Sequence, residues 1–150
     1  AGLSPAGLER KIQIIERSVA RLQPDREDAL DVLSKVGGLD IAGMCGAFLG
    51  GAQAGIPVII DGVISAVAAL CAAKLCPQSK KYMIASHLSG EPAAKYVLDS
   101  LGFAAPIRAD MALGEGTGAV ALLPLLDMAY AVFREMICFS QTDIEEYKPL

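Results

Sequence analysis

Residues 56–92 read IPVIIDGVISAVAALCAAKLCPQSKKYMIASHLSGEP, and the order of patterns within them decides the fold. Pro57 opens VII, a short run of β-branched residues suited to a buried strand. Asp61-Gly62 ends it, and ISAVAALCAAKLC continues as an Ala-rich helix. Pro77 stops that helix, because proline has no N–H to give to a helical hydrogen bond. A second β-type run, residues 82–85, leads through the loop SHLSGEP into a helix that starts near Pro92. Strand, helix and strand at this spacing predict parallel strands joined by a crossover helix, hence an α/β fold. Residues 56–75 form the longest apolar stretch, but Asp61, Ser65, Pro57 and Gly62 interrupt it. It therefore reads as a buried strand and helix rather than a membrane span.

Upstream, Ser4 is placed to cap a helix that has Pro5 at its first position. Leu8, Ile12, Ile15, Val19 and Leu22 recur at helical spacing and form an apolar stripe. Asp25 is expected to cap a short second helix, which Gly37-Gly38 would end in the left-handed conformation. Asp40 is expected to cap a third helix, IAGMCGAFLGGAQAG. Gly43, Gly46, Gly50 and Gly51 weaken that helix and make sense where another backbone packs close.

Downstream, a helix spans 92–101 with Gly102 as its C-cap. Residues 103–111 carry no clear pattern. LGEGTGA then leads into a long apolar helix, about 117–136, with Pro124 inside it. The tail SQTDIEEYKPL, residues 140–150, is polar and expected to be loosely held. With no internal repeat or low-complexity linker, residues 1–150 read as a single α/β domain.

The chain is 53% hydrophobic, 20% charged and carries a net charge of −4. No basic stripe runs along a predicted helix, so nucleic-acid binding has little support. An apolar excess of this size also arises when part of the surface is covered by another subunit or segment. The start, AGLSPAGLERK, has no charged leader followed by an apolar run, and no signal peptide is expected. Cys45, Cys71, Cys76 and Cys138 lack zinc-ligand spacing, and His87 is the sole histidine. No metal is expected, and the cysteines read as small buried hydrophobes kept reduced, with Cys138 the one suited to exposure.

Ligands of parallel α/β sheets bind at the carboxyl ends of the strands. Three polar, glycine-bearing loops fall there: Asp61-Gly62, residues 86–92 and residues 113–118. Gly114 and Gly116 flank Glu115 and permit unusual backbone angles and close approach of a ligand. A carboxylate in a partly apolar pocket holds its proton more tightly, which suits a general base; the alternative is a helix-capping turn in water. The 86–92 loop suits a phosphate cradle or an ordinary capped helix start. Asp61 could bind ribose hydroxyls or cap the next helix. Lys11 could reach a phosphate or sit in solvent. His87 could be a general base, although a hydrogen-bonded structural role fits it better.

Together, ALDVLSKVGGLDIAGMCGAFLGGAQAGIPVIIDGVISAVAAL, YMIASHLSGEPAAKYVLDSLG and MALGEGTGA resemble the nicotinate-nucleotide–dimethylbenzimidazole phosphoribosyltransferase family. The combination VGG-D-x-x-G-M, DG-x-x-S, SH-x-S-x-E and LGEG-[ST]-GA is specific, and the resemblance covers roughly residues 8–136. It implies a Rossmann-like parallel sheet with flanking helices, a small helical domain that the C-terminal helix could join, and a cytoplasmic homodimer without a cofactor. It implies that ribose phosphate passes from nicotinate mononucleotide to 5,6-dimethylbenzimidazole, with Glu115 as base. Ser89, Gly62 and Lys11 fall where the family contacts the nucleotide phosphate or ribose. Asp61 falls beside them, Leu113 at the benzimidazole pocket, and Gly114 and Gly116 on the same substrate-binding loop. This chain carries only the C-terminal half of the family's pattern, so a missing N-terminal half is implied as a partner. The other reading is an inactive fragment, or a non-catalytic α/β nucleotide-binding module that needs that half.

Overall fold

Two three-residue strands, β1 (Val58–Ile60) and β2 (Met83–Ala85), pair in parallel with Val58 opposite Met83 and Ile60 opposite Ala85. The computed structural model describes residues 3–138, 141–143, 145 and 148. Among these, six α-helices accompany the sheet: α1 (Pro5–Leu22), α2 (Ala29–Val36), α3 (Leu39–Ala54), α4 (Val63–Leu75), α5 (Pro92–Leu101) and α6 (Thr117–Glu135). The expected α/β class is thus present in coarse form, mostly helical around a small sheet. Most of the expected polar tail, residues 140–150, lies outside the described residues.

The helix α4 crosses between the strands, and its composition explains its place. Ala66, Ala68, Ala69, Ala72 and Ala73 are all buried, against α3, α5 and β1. Methyl side chains let neighbouring backbones approach closely, while Phe48, Ile60, Leu98 and Leu101 fill the remaining volume. The patternless segment after α5 continues the parallel arrangement. Leu88 N–H donates to Ile107 O at 2.9 Å and Gly90 N–H to Met111 O at 3.0 Å, with a parallel bridge between His87 and Ile107. Its strand character comes from a distant partner, which a local reading cannot see.

Several expected caps are corrected. Ser4 does cap α1. Asp28, not Asp25, caps α2, accepting from Leu30 and Asp31 N–H. Asp25 instead closes a turn onto Glu27 N–H and donates its own N–H to Asp31. That backbone donation, with the Lys35 ammonium at 2.8 Å, holds the Asp31 carboxyl below the usual carboxylate range. Asp40 lies inside the first turn of α3, whose N-cap is Gly38. Gly37 ends α2 in extended rather than left-handed backbone (φ −82°). It is glycine for another reason: a Cβ there would stand 2.6 Å from Leu33 O. Of the α3 glycines, Gly51 packs against Val58 and the Ile56 carbonyl, whereas Gly43, Gly46 and Gly50 face open space.

Among the described residues, two helices leave their apolar faces largely uncovered. No residue of α1 is buried, and Leu8, Ile12, Ile15, Val19 and Leu22 are all exposed. In α6 only Gly118 and Leu122 are buried, and Phe133 is 84% exposed. By length and composition α6 would suit a membrane span. Its first turn is instead tied into the core by the β1 end of the sheet.

The cysteines divide differently from the expectation. Cys45 is buried and Cys71 half-buried, but Cys76 is exposed together with Cys138. Burial raises the thiol pKa of Cys45 and of Cys71, so less thiolate is present at either. Iodoacetamide should therefore label Cys76 and Cys138 in the native protein and reach Cys45 and Cys71 only after denaturation. Peptide mass mapping before and after unfolding checks this.

Candidate functional site

At the carboxyl end of the strands lies a cavity of about 420 Å³. Three loops line it: Asp61-Gly62 after β1, His87 to Glu91 after β2, and residues 111–116 before α6. These are the three loops singled out in the sequence. Each starts where a buried strand or extended segment leaves the core, so the sheet itself brings them together.

The loop before α6 has the most constrained backbone. Gly114, Glu115 and Gly116 have φ values of +79°, +58° and +75°, three left-handed residues in a row. Glycine accepts this freely, whereas Glu115 carries a Cβ and is strained by about 1–2 kcal/mol. Two hydrogen bonds offset that strain. Thr117 Oγ1 donates to Gly114 O at 2.6 Å, closing the loop on itself. Asp61 Oδ1 accepts from Ala119 N–H at 2.9 Å, across 58 residues. Asp61 was expected to bind a sugar or to cap the next helix, α4. The helix it caps is α6 rather than α4, whose own start it does not cap; the N-cap of α6, Gly116, offers no side chain.

The same end of the sheet is tied at Ser86. Its hydroxyl lies 2.6 Å from Ile60 O and 2.9 Å from His87 Nδ1. His87 is buried, and its ring packs against Gly118, where any side chain would overlap it. Glycine at 118 is therefore a packing requirement of the α6 start. Ser89 is buried and its hydroxyl donates to the Glu91 carboxylate. On the far side, Asp61 N–H donates to Ser65 Oγ, which in turn donates to Gly62 O at the start of α4.

Of the expected site residues, Asp61, Gly62, Ser89, Leu113, Gly114, Glu115 and Gly116 all line this cavity. Lys11 does not: it lies on the exposed α1 helix, outside the lining. Glu115 is exposed, so the described residues do not build the apolar enclosure expected around it. Sequence reasoning missed Glu91 and Met44 as lining residues, although both stand in quoted motifs (SH-x-S-x-E and VGG-D-x-x-G-M).

The electrostatics pull in two directions. The N-terminus of α4 opens on the cavity, and its free N–H groups with the helix dipole favour an anion, whereas at the start of α6 Thr117 N–H donates to Gly114 O and Ala119 N–H to Asp61. Three carboxylates, Asp61, Glu91 and Glu115, also line it, and among the described lining residues there is no lysine or arginine. The cavity therefore has donors for a phosphate but lacks the cation that such a group ordinarily pairs with.

Comparison with known proteins points the same way as the sequence. A family profile described as DBI_PRT, phosphoribosyltransferase, matches residues 1–144. Nicotinate-nucleotide–dimethylbenzimidazole phosphoribosyltransferase of Acetivibrio thermocellus is 46% identical over 149 residues, 99% of this chain and 42% of that protein. The protein of the same name from Clostridium acetobutylicum is 47% identical over 150 residues, 100% of this chain and 43% of that protein. The crystal structure of CobT from Thermus thermophilus superposes with a TM-score of 0.87 at 37% identity, covering 97% of this chain and 43% of that one. The chain thus spans less than half the length of the relatives it matches.

The Asp61 cap generates a stability prediction. Asp61→Ala should cost about 1–3 kcal/mol in urea unfolding, because it removes a charged acceptor from a partly buried N–H. Asp61→Asn, which keeps an oxygen there, should cost less. Glu115→Gln should stay within about 0.5 kcal/mol, as an exposed side chain without a partner of its own among the described residues. Equal losses at 61 and 115 would contradict the assigned roles.

Proposed function

This chain belongs to the DBI_PRT phosphoribosyltransferase family, and from that premise we propose that it forms the catalytic-base half of a nicotinate-nucleotide–dimethylbenzimidazole phosphoribosyltransferase. The reaction moves ribose phosphate from nicotinate mononucleotide to 5,6-dimethylbenzimidazole, as a step in making the lower ligand of cobalamin. The observation that carries this reading is that the Glu115 loop meets the Asp61-Gly62 and Ser89 loops in one cavity.

Displacement occurs at C1′ of the ribose. The pyridinium nitrogen of nicotinate already bears positive charge, so it leaves with its bonding pair and needs little acid assistance. The entering azole nitrogen attacks the opposite face. Its ring must lose the N–H proton as the new bond forms, and Glu115 takes that proton. The left-handed loop holds the carboxylate out from the backbone into the cavity, and Leu113 on the same loop offers an apolar contact to the azole ring. Ser89, Gly62 and the open N-terminus of α4 hold the phosphate and ribose. Gly114 and Gly116 let the substrate approach the backbone.

The rest of the family's length supplies what this cavity lacks. The proposed whole is a cytoplasmic homodimer with a Rossmann-like sheet, in which α6 joins a small helical domain. The bare apolar faces of α1 and α6 agree with such partners. Lys11, displaced from the lining here, would supply the missing cation once α1 is seated by them. No nucleic acid, membrane, metal or cofactor enters the scheme. The second reading is a nucleotide-binding module that is inert alone. What favours it is the absence of a lysine or arginine among the described lining residues.

Incubating the chain with both substrates, with and without the N-terminal half of a relative, decides between the readings. α-Ribazole phosphate is expected once the halves are combined; no product from the combination would refute the assignment. In the active combination, Glu115→Gln should lower turnover about 10²- to 10⁴-fold with little change in nucleotide affinity. Ser89→Ala with Lys11→Ala should chiefly weaken nicotinate mononucleotide binding, measured by calorimetry.

A further inference from the structure

We infer that His87 contacts the substrate directly, its Nε2 accepting a hydrogen bond from a sugar hydroxyl while Ser86 fixes the proton on Nδ1. This rests on the cavity being a sugar-phosphate site, as proposed above, and assigns a role to a buried histidine that the transfer scheme leaves unused.

The tautomer follows from counting protons. The Ser86 hydroxyl has one hydrogen and three neighbours: Ile60 O at 2.6 Å, His87 Nδ1 at 2.9 Å and Asp61 O at 3.3 Å. Carbonyl oxygens can only accept, so the hydrogen goes to the shortest of these contacts, Ile60 O. Towards His87 the hydroxyl oxygen must then accept, which requires the ring proton on Nδ1. In the neutral imidazole, Nε2 is left as a bare acceptor. The ring cannot easily turn over. It is 6% exposed, and its Nδ1–Cε1 edge lies against Gly118.

The position of Nε2 follows by elimination. Among the described residues no buried side-chain nitrogen or oxygen lacks a partner. Nδ1 is the ring nitrogen with a hydrogen bond, so Nε2 reaches open space. His87 lines the cavity, so the open space that Nε2 reaches is the cavity. A bare imidazole nitrogen repels a phosphate oxygen and attracts a donor. His87 stands two residues before Ser89, on the loop proposed to hold the sugar phosphate, and the donor that the substrate brings there is a ribose hydroxyl.

Because the chain contains a single histidine, one ¹⁵N-labelled imidazole reports the whole prediction by NMR. In the free protein, above neutral pH, Nε2 should resonate as an unprotonated nitrogen and Nδ1 as a protonated one. This is the reverse of the tautomer that a histidine side chain favours in water. With the unlabelled N-terminal half of a relative present, saturating ribose 5-phosphate should move Nε2 upfield, together with the amides of Gly62 and Ser89. Inorganic phosphate, and separately dimethylbenzimidazole, should leave Nε2 in place. A protonated Nε2 in the free protein overturns the inference. So does an Nε2 shift caused by phosphate or by the azole alone. If ribose 5-phosphate moves the Gly62 and Ser89 amides but not Nε2, the His87 contact fails and the sugar-phosphate site stands. If it moves nothing, both fail.

Discussion

A carboxylate at the end of β1 accepts a hydrogen bond from the backbone of a helix that begins far along the chain, and the site depends on that contact. Asp61 reaches Ala119 N–H at the start of α6. The helix has a glycine N-cap, so without Asp61 its first turn would lack a side-chain acceptor. An ionised acceptor at a helix N-terminus is favourable by about 0.3–2 kcal/mol. Here it also holds the end of a loop with three left-handed residues, which would otherwise relax. The Glu115 loop is thus held from both sides, by Thr117 closing on Gly114 O and by β1 through Asp61.

The second constraint is electrostatic. The α4 N-terminus and the Ser89 hydroxyl suit an anionic ligand, but the lining carries three carboxylates and no lysine or arginine among the described residues. The Ser89 hydroxyl is already engaged by Glu91. An anion entering this cavity must draw that hydroxyl away from a carboxylate and find a cation elsewhere. Such an arrangement is poor at holding phosphate tightly by itself. It becomes a good one when a further positive charge is brought to its rim.

Apolar surface shows the same incompleteness. The stripe of α1 and most of α6 are arranged as faces that pack, with leucine, isoleucine and valine at helical spacing, yet they contact little within the chain. Exposing this much apolar area is unfavourable at about 25 cal/mol per Å², so such faces are ordinarily covered. The chain spans less than half of its relatives' length.

What the amino-acid order determined by itself is local in origin. Pro57 and Pro77, the VII run and the alanine series set β1 and the crossover helix, because proline geometry, β-branching and small side chains act within a few residues. Ser4, Gly102 and the glycines around Glu115 behaved as their types require, and the loops at the strand ends were legible as candidate site loops from the order of elements alone. Long-range pairing was not legible. The extended segment at Ile107 is held by Ser86 and Leu88, the α6 cap is supplied by Asp61, and Gly118 is required by the His87 ring. Asp25 and Asp40 yielded their expected caps to Asp28 and Gly38, since several acceptors near each helix start competed and the tertiary path of the chain selected among them. Tertiary structure alone decided which side chains share the cavity, and that Lys11 is not among them, because that depends on how separate elements pack rather than on spacing along the chain.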